Sequence, residues 1–336
     1  MLKLNSACLR YLFPGEIMIR SILIYLSKAD WARNLVTNWK FAWKAASRFI
    51  AGETIDDAIN VVKELNKNGI NATLDQLGEN TSSPEEALQA TQGIIRILEE
   101  IEENEVKANV SIKLTQIGLA LNEQLCLDNL ERILNNAKDK NNFIRVDMED
   151  TPYTDQTIKL VHYLMNKGYL NTGIVLQSYL YRTEIDTKEL IKDKVKFRLV
   201  KGAYKESSND AFPRKKDVDE NFDRLTEIII SSAIEQGSEV VSSNGRFPPV
   251  TALGTHDEKR ILKAIQFQKM QGLSNDALEF QMLYGIRRDL QEQLTAQKYP
   301  VRVYVPFGTH WYPYFVRRLA ERPANIWFFI SNYFRK

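Results

Sequence analysis

Residues 302–321 read R-V-Y-V-P-F-G-T-H-W-Y-P-Y-F-V-R-R-L-A-E, which is a strand, a break and a helix in twenty positions. Val301, Val303 and Val305 alternate with Arg302 and Tyr304, the period of a strand. Pro306-Phe307-Gly308-Thr309 ends that period, and Pro313 suits the first turn of a helix, where a missing N–H is harmless. On such a helix Tyr314, Arg317, Arg318 and Glu321 fall at i, i+3, i+4 and i+7 and share a face. Two adjacent guanidiniums beside an aromatic ring can grip a small carboxylate through bidentate hydrogen bonds. A bare Arg-Arg pair is more often a solvated face, with Arg318 paired to Glu321. The strand, the glycine break and the aromatic run before it favour a binding site.

Working outward, the same strand-then-helix unit recurs upstream. Strands are predicted over Ala72–Gln76, Ala108–Leu114, Phe143–Glu149, Gly173–Tyr179, Lys196–Lys201, Val250–Thr255, Leu278–Tyr284 and Arg302–Val305. Helical patterns follow them at 84–104, 122–138, 153–167, 182–192, 218–236, 257–271, 286–296 and 310–321. Parallel strands with right-handed crossovers close into a barrel, so the predicted fold class is α/β, a (βα)8 TIM-type barrel over residues 70–330. Residues 1–69 are read as an N-terminal helical extension. Within it, Leu23, Leu26, Trp31, Leu35, Trp39, Trp43 and Phe49 give residues 19–50 a basic, amphipathic pattern. Packing on the body of the protein is the plainer reading; contact with an anionic membrane surface is the alternative. Ile55, Ala58, Val62 and Leu65 form a second helix over 53–67, closed by Gly69. Met18 offers an alternative start, and residues 1–17 are expected to be dispensable. Irregular stretches are expected at 203–217 and 237–249.

The composition narrows the function. The chain has 336 residues, 45 basic and 43 acidic, for a net charge of +2, which gives nucleic acid no foothold as the main partner. Cys8 and Cys126 are the only cysteines, so a disulfide framework is not credible and a reducing compartment is expected. No apolar run reaches the roughly 18 residues of a membrane-spanning helix.

In a barrel of this kind the chemistry sits at the carboxyl ends of the strands. Here those ends carry Asp75-Gln76, Lys113, Asp147-Met148-Glu149-Asp150, Gln177-Ser178-Tyr179, Arg198 with Lys201 and Tyr204, Thr255-His256-Asp257, the E-F-Q-M-L-Y-G of strand seven, and Tyr304. A lone Lys or Asp in a strand is usually a structural ion pair; the same character on so many rims is hard to ascribe to packing. With only His162, His256 and His310 in the chain, a His-rich zinc or di-iron site is nearly excluded and no metal is expected. A magnesium site on Asp147 and Glu149 is opposed by Lys113, Arg198, Lys201, Arg317 and Arg318. That basic rim suits a carboxylate, a pyrophosphate, or both. No G-x-G-x-x-G or P-loop is present, so a dinucleotide would be held by barrel loops.

These residues resemble the proline dehydrogenase family, the flavin-dependent barrel found alone or fused to a second enzyme. The likeness covers roughly residues 40–330 and rests on F-I-A-G-E-T near Ile50, A-T-L-D-Q-L-G-E at 72–79, V-S-I-K-L at 110–114, V-D-M-E-D at 146–150, L-V-K-G-A-Y at 199–204, G-T-H-D-E-K at 254–259, E-F-Q-M-L-Y-G at 279–285, and V-P-F-G-T-H-W-Y-P-Y-F-V-R-R-L-A-E at 305–321. The resemblance implies a monofunctional enzyme that oxidises L-proline to Δ1-pyrroline-5-carboxylate, with FAD as cofactor and a membrane quinone as electron acceptor. It implies that Arg317 and Arg318 bind the substrate carboxylate and that Glu321 steadies them. Lys113, Tyr304, Tyr314 and Leu283 match pocket positions, and Asp147, Arg198, Lys113 and Tyr304 match positions that matter for catalysis. Met148, Gln177, Arg198, Lys201, Gly202, Ala203, Tyr204, Thr255 and His256 match cofactor-binding positions. Nothing resembles the aldehyde dehydrogenase half of the fused enzymes, so a separate pyrroline-5-carboxylate dehydrogenase is the implied partner. The expected location is cytoplasmic, with peripheral contact at the inner face of the membrane, or mitochondrial in a eukaryote. Three other readings compete: a flavin dehydrogenase preferring hydroxyproline, a flavin-free binding protein that keeps the arginine clamp, and a lyase using Lys113 as a Schiff base.

Overall fold

A strand whose alternate residues are apolar needs a helix on one side only, and the strands of this chain obey that rule around a closed ring. The computed structural model describes residues 40–79 and 81–321. Its parallel strands, β1 (Asn71–Gln76), β2 (Ala108–Ile112), β3 (Ile144–Val146), β4 (Thr172–Gln177), β5 (Lys196–Val200), β6 (Thr251–Gly254), β7 (Leu278–Leu283) and β8 (Val301–Phe307), form a barrel in sequence order. β8 closes on β1, with Thr73 opposite Tyr304 and Leu74 opposite Val305. The predicted α/β (βα)8 barrel is therefore the observed fold, and each strand is separated from the next by a helix.

Ala72, Leu74, Val110, Ile112, Phe197, Leu199, Val303 and Val305 are buried in one apolar core shared with the helices. The intervening residues Ser111, Lys113, Asp147, Arg198, Gln281 and Tyr304 make bonds to strands that are not their neighbours, which is open only to side chains in the bore. The helices begin where caps allow. Thr54 and Asp57 form a capping box for the helix Ile55–Lys67. Ser83 accepts from the Glu86 N–H, and Pro84 opens the helix Pro84–Glu103.

Several predicted strands run one to three residues too far at their carboxyl ends. β3 stops at Val146; the Asp147 N–H still donates to the Ile112 carbonyl at 2.8 Å, and from there the chain turns along the rim into the helix that begins at Thr151. The stretch 237–249 is irregular, as expected, and it floors the amino-terminal end of the bore: Gly245 and Arg246 offer their carbonyls to Arg302 and Asn109 at 2.8 and 2.9 Å. Gly245 has φ +67°, and a Cβ there would lie 2.4 Å from the Asn71 side chain. The stretch 203–217 is pinned by backbone bonds from Phe212 to Tyr179 and from Tyr181 to Asp210, and by an edge-on contact of Tyr181 with Phe212.

The chain divides into two compact units, Ala51–Thr309, which holds the barrel, and 1–50 with 310–336. In the second unit the described helices are Lys40–Ala46 and Trp311–Glu321. Trp43 packs on Trp311, with centroids 5.3 Å apart, and Phe49 on Phe315. The helix expected over 19–50 falls mostly outside the described residues, as do residues 1–17 and the side chain of Glu321. Among the described residues no helix is long and apolar enough to cross a membrane.

Candidate active site

At the carboxyl end of the bore, period-two alternation brings ionisable side chains from β1, β2, β3, β5 and β8 onto one centre. Asp147, just past β3, is its hub. Its Oδ1 accepts from Ser111 Oγ at 2.7 Å and from the Arg198 guanidinium, and its Oδ2 accepts from Tyr304 Oη at 2.8 Å. Lys113 Nζ lies 3.7 Å from the same Oδ2 and donates to both oxygens of Asp75, at 3.2 and 3.3 Å. It also approaches Tyr304 Oη at 3.4 Å and Glu79 at 3.9 Å. The Arg198 guanidinium stands 5.2 Å over the Tyr304 ring, a cation–π distance. Its Nη2 bonds Ser111 at 3.0 Å and its Nη1 bonds Gln281 Oε1 at 3.3 Å.

Burial penalises every charge in this cluster, so its partners decide what stays ionised. For Asp147 burial pushes the carboxyl upward, but Arg198 and Lys113, with hydrogen bonds from Ser111 and Tyr304, outweigh it and hold the group below the usual carboxylate range. For Lys113 burial acts against the ammonium, yet Asp75, Asp147 and Glu79 hold its pKa above the ordinary lysine value. Asp75 moves the other way: burial dominates, the nearby Asp147 adds to it, and its carboxyl is raised. Tyr304 is kept firmly protonated by burial and by the carboxylates beside it. The result is two fixed cations and one firmly ionised carboxylate at the mouth.

Asp147 and Glu149, considered together in sequence as metal ligands, do not converge. Glu149 accepts from the Thr115 N–H at 3.0 Å and from Thr115 Oγ1 at 2.5 Å, tying the turn after Lys113 to the end of β3. Burial raises its carboxyl to about 7. Among the described residues no cluster of metal-ligating side chains is found.

The expected cofactor positions divide. Met148 and Gln177 meet at the rim, where Gln177 Nε2 donates to the Met148 carbonyl at 3.4 Å and Gln177 Oε1 is buried without a donor. Thr255 accepts the Asp257 N–H, and His256 Nε2 accepts the Leu283 N–H at 3.0 Å, which keeps that nitrogen unprotonated. Gly202 has φ +111°, and a Cβ there would strike the Tyr179 ring at 2.4 Å, so only glycine fits. Ala203 is exposed and Tyr204 is half-buried. The Lys201 ammonium lies between Asp219 and Asp257, at 2.5 and 2.6 Å, so its charge is neutralised by the protein itself. Tyr314, Arg317 and Arg318 belong to the other unit. There the Arg318 guanidinium stands 5.1 Å over the Tyr314 ring, so those two do share a helix face.

Ser111, Gln281 and the Arg302–Glu279 pair also belong to the bore, and no motif in the sequence gives them a role. Alternation was the available signal: Ser111 stands two before Lys113, and Gln281 two before Leu283, on the same strand face.

The family model described as proline dehydrogenase matches residues 58–329. "Proline dehydrogenase 2" of Bacillus subtilis (strain 168) is 38% identical over 320 residues, covering 95% of this chain and 100% of the relative. "Proline dehydrogenase" of Deinococcus radiodurans is 41% identical over 294 residues, covering 86% and 90%. Among solved structures, proline utilization A (PutA) from Bdellovibrio bacteriovorus, inactivated by N-propargylglycine, superposes with a TM-score of 0.76 at 24% identity. That match covers 90% of this chain but only 36% of the PutA chain, and it supports the fold. A closed barrel with this rim, matched by the family model and by full-length relatives, makes the chain a member of the proline dehydrogenase family.

Proposed function

We propose that this protein oxidises L-proline to Δ1-pyrroline-5-carboxylate at an FAD held over the carboxyl end of the barrel, with a membrane quinone as final electron acceptor. The observation that carries the reading is Asp147, ionised and fixed between Arg198 and Lys113 at the strand tips of a barrel of this family. The rim fits a flavin: Gln177 Oε1 is a buried acceptor with no protein donor, suited to a ring N–H. When bound, FAD supplies the hydride acceptor.

The chain's own residues then have definite tasks. Arg198 and Lys113 put fixed positive charge where negative charge develops on hydride transfer, in a dry, preorganised setting. The same two cations disfavour a protonated substrate amine, so the nitrogen lone pair is free to push the hydride out. Tyr304 walls the pocket, its hydroxyl committed to Asp147 and Lys113. Arg317 and Arg318 are assigned the substrate carboxylate, which fixes the reacting carbon, and Glu321 is assigned the task of steadying them. Gly202 lets the backbone of the L-V-K-G-A-Y segment pass close to a ligand.

The product would pass to a separate pyrroline-5-carboxylate dehydrogenase, the partner that the likeness to monofunctional proline dehydrogenases implies. Peripheral membrane contact through residues 19–50 would deliver electrons to the quinone.

The test is the visible spectrum of the purified protein before and after anaerobic addition of L-proline. Flavin absorbance that bleaches on addition supports the reading. Protein that stays colourless when supplied with FAD, or flavin that proline does not bleach, refutes it. Comparing kcat/KM for proline and 4-hydroxyproline separates the substrate alternatives.

A further inference from the structure

We infer that Gln281 is a positioning residue for Arg198, and that Glu279 sets the direction in which its amide points. This rests on the reading above, in which Arg198 faces the cofactor. The geometry comes from β7, where Glu279 and Gln281 project into the bore two residues apart. Gln281 Nε2 donates to Glu279 Oε1 at 2.6 Å, and Gln281 Oε1 accepts from Arg198 Nη1 at 3.3 Å. All three side chains are buried.

An amide can turn over, exchanging its donor and acceptor ends, but a carboxylate accepts only. Glu279 is held as a carboxylate partner by Arg302, whose Nε and Nη2 donate to it at 2.9 and 3.0 Å in a fully buried pair. Facing that acceptor, Gln281 has to present Nε2, and its carbonyl oxygen is thereby aimed at Arg198. The guanidinium is then held from two sides: Asp147 and Ser111 fix Nη2, and Gln281 fixes Nη1. A planar fork tied at both ends has one orientation, and its charge lies where the reaction needs it rather than averaged over rotamers.

The decisive variant is Gln281→Met, which keeps the volume and removes the acceptor. Glu279 retains both bonds from Arg302, so the barrel stands. Purified holoenzyme should lose about tenfold in kcat while KM for proline stays within about twofold. The flavin midpoint potential should fall by about 30 mV, the equivalent of a tenfold change in a two-electron equilibrium. In an Arg198→Met background the same Gln281→Met change should move neither quantity further. Gln281→Asn, which draws the acceptor away from Arg198, should shift potential and kcat in the same direction, and serves if the methionine variant does not fold. An unchanged potential with unchanged kcat refutes the inference, as does an undiminished effect when Arg198 is absent. If wild-type flavin is not bleached by proline, the functional reading fails instead.

Discussion

Asp147→Asn tests the centre most sharply, because the side chain keeps its shape and loses only its charge. In the native site the carboxylate accepts from Arg198, Ser111 and Tyr304 and lies 3.7 Å from the Lys113 ammonium. Asparagine can keep an oxygen toward Arg198 and Ser111 and turn its NH2 toward Tyr304, whose hydroxyl can accept. Converting the Arg198 contact from charge-assisted to neutral costs about 1–2 kcal/mol. The Coulombic hold on Lys113 is lost as well, but Asp75 offsets part of it, because Asp147 no longer opposes its ionisation. A net cost of about 3 kcal/mol follows. In a barrel of this size that is about 6–12 °C in Tm, and if the guanidinium is displaced it is about a hundredfold in kcat/KM. The pH dependence has a definite sign. The folded-state pKa of Asp147 is depressed, so its contribution is present above the unfolded value of 3.8 and is lost as pH falls through the lower folded value. Wild-type Tm should therefore decline in acid more steeply than that of the variant. Thermal melts from pH 3 to 7 and steady-state proline oxidation check both parts. A variant within about twofold of wild type in kcat/KM, with the same Tm, would show that the hub role is wrong.

Three further outcomes are expected. Replacing Arg317 and Arg318 together by alanine should raise KM for proline by about a hundredfold or more, at about 1.5–3 kcal/mol per charge-assisted contact, with flavin still bound. Steady-state kinetics on flavin-normalised enzyme decides it, and loss of flavin at unchanged KM would contradict the assigned roles. Glu149→Gln should flatten the stability profile near neutrality: burial raises the native carboxyl to about 7 from 4.5, so its contribution is complete below the unfolded value and lost as pH rises through about 7. The difference between pH 5 and 9 should be on the order of 3 kcal/mol in urea melts of the wild type and absent in the variant. Gly173→Ala should destabilise the barrel by about 3 kcal/mol in the same melts, because a Cβ would sit 2.4 Å from the Lys196 carbonyl and 2.6 Å from the Arg145 guanidinium.

Local signals carried most of the fold. Each strand pairs with its sequence neighbours, so alternation, glycine breaks and helix caps suffice to order the ring, and only the β8–β1 closure joins the two ends of the barrel. The carboxyl ends of β3 and β4 have no sharp sequence boundary, because bonds to a neighbouring strand run on past the last regular residue: Asp147 donates to Ile112, Ser178 to Val200 and Tyr179 to Lys201. For the site, residue type and position at a strand tip were enough to find Lys113, Asp147, Arg198 and Tyr304. The pairing was not legible. Nothing local says that Asp147 meets Arg198, 51 positions on, or that Glu149 turns away to Thr115. Lys201 reads as a free rim cation, and only the fold reveals Asp219 and Asp257 beside it. Gln281 was hidden for a different reason: an amide has no preferred partner until a carboxylate fixes which end it shows.

The buried charges of the bore also explain why its amino-terminal end needs an irregular floor. Apolar side chains of the same volume would often be no less stable than buried ion pairs, so packing alone does not account for them. A charged mouth does. Arg198 needs Asp147 and an acceptor from Gln281; Gln281 needs a fixed carboxylate in Glu279; Glu279 needs Arg302. Such a chain of requirements has to end on neutral acceptors, or the last guanidinium keeps buried donors without a partner. It ends on backbone carbonyls, because Arg302 also donates to Ala72 and to Gly245 of the floor, each at 2.8 Å. The stretch 237–249 has no regular structure, and that is what leaves the Gly245 oxygen to accept from Arg302 and close the series. The floor and the mouth, at opposite ends of the barrel, are thus two ends of one electrostatic arrangement.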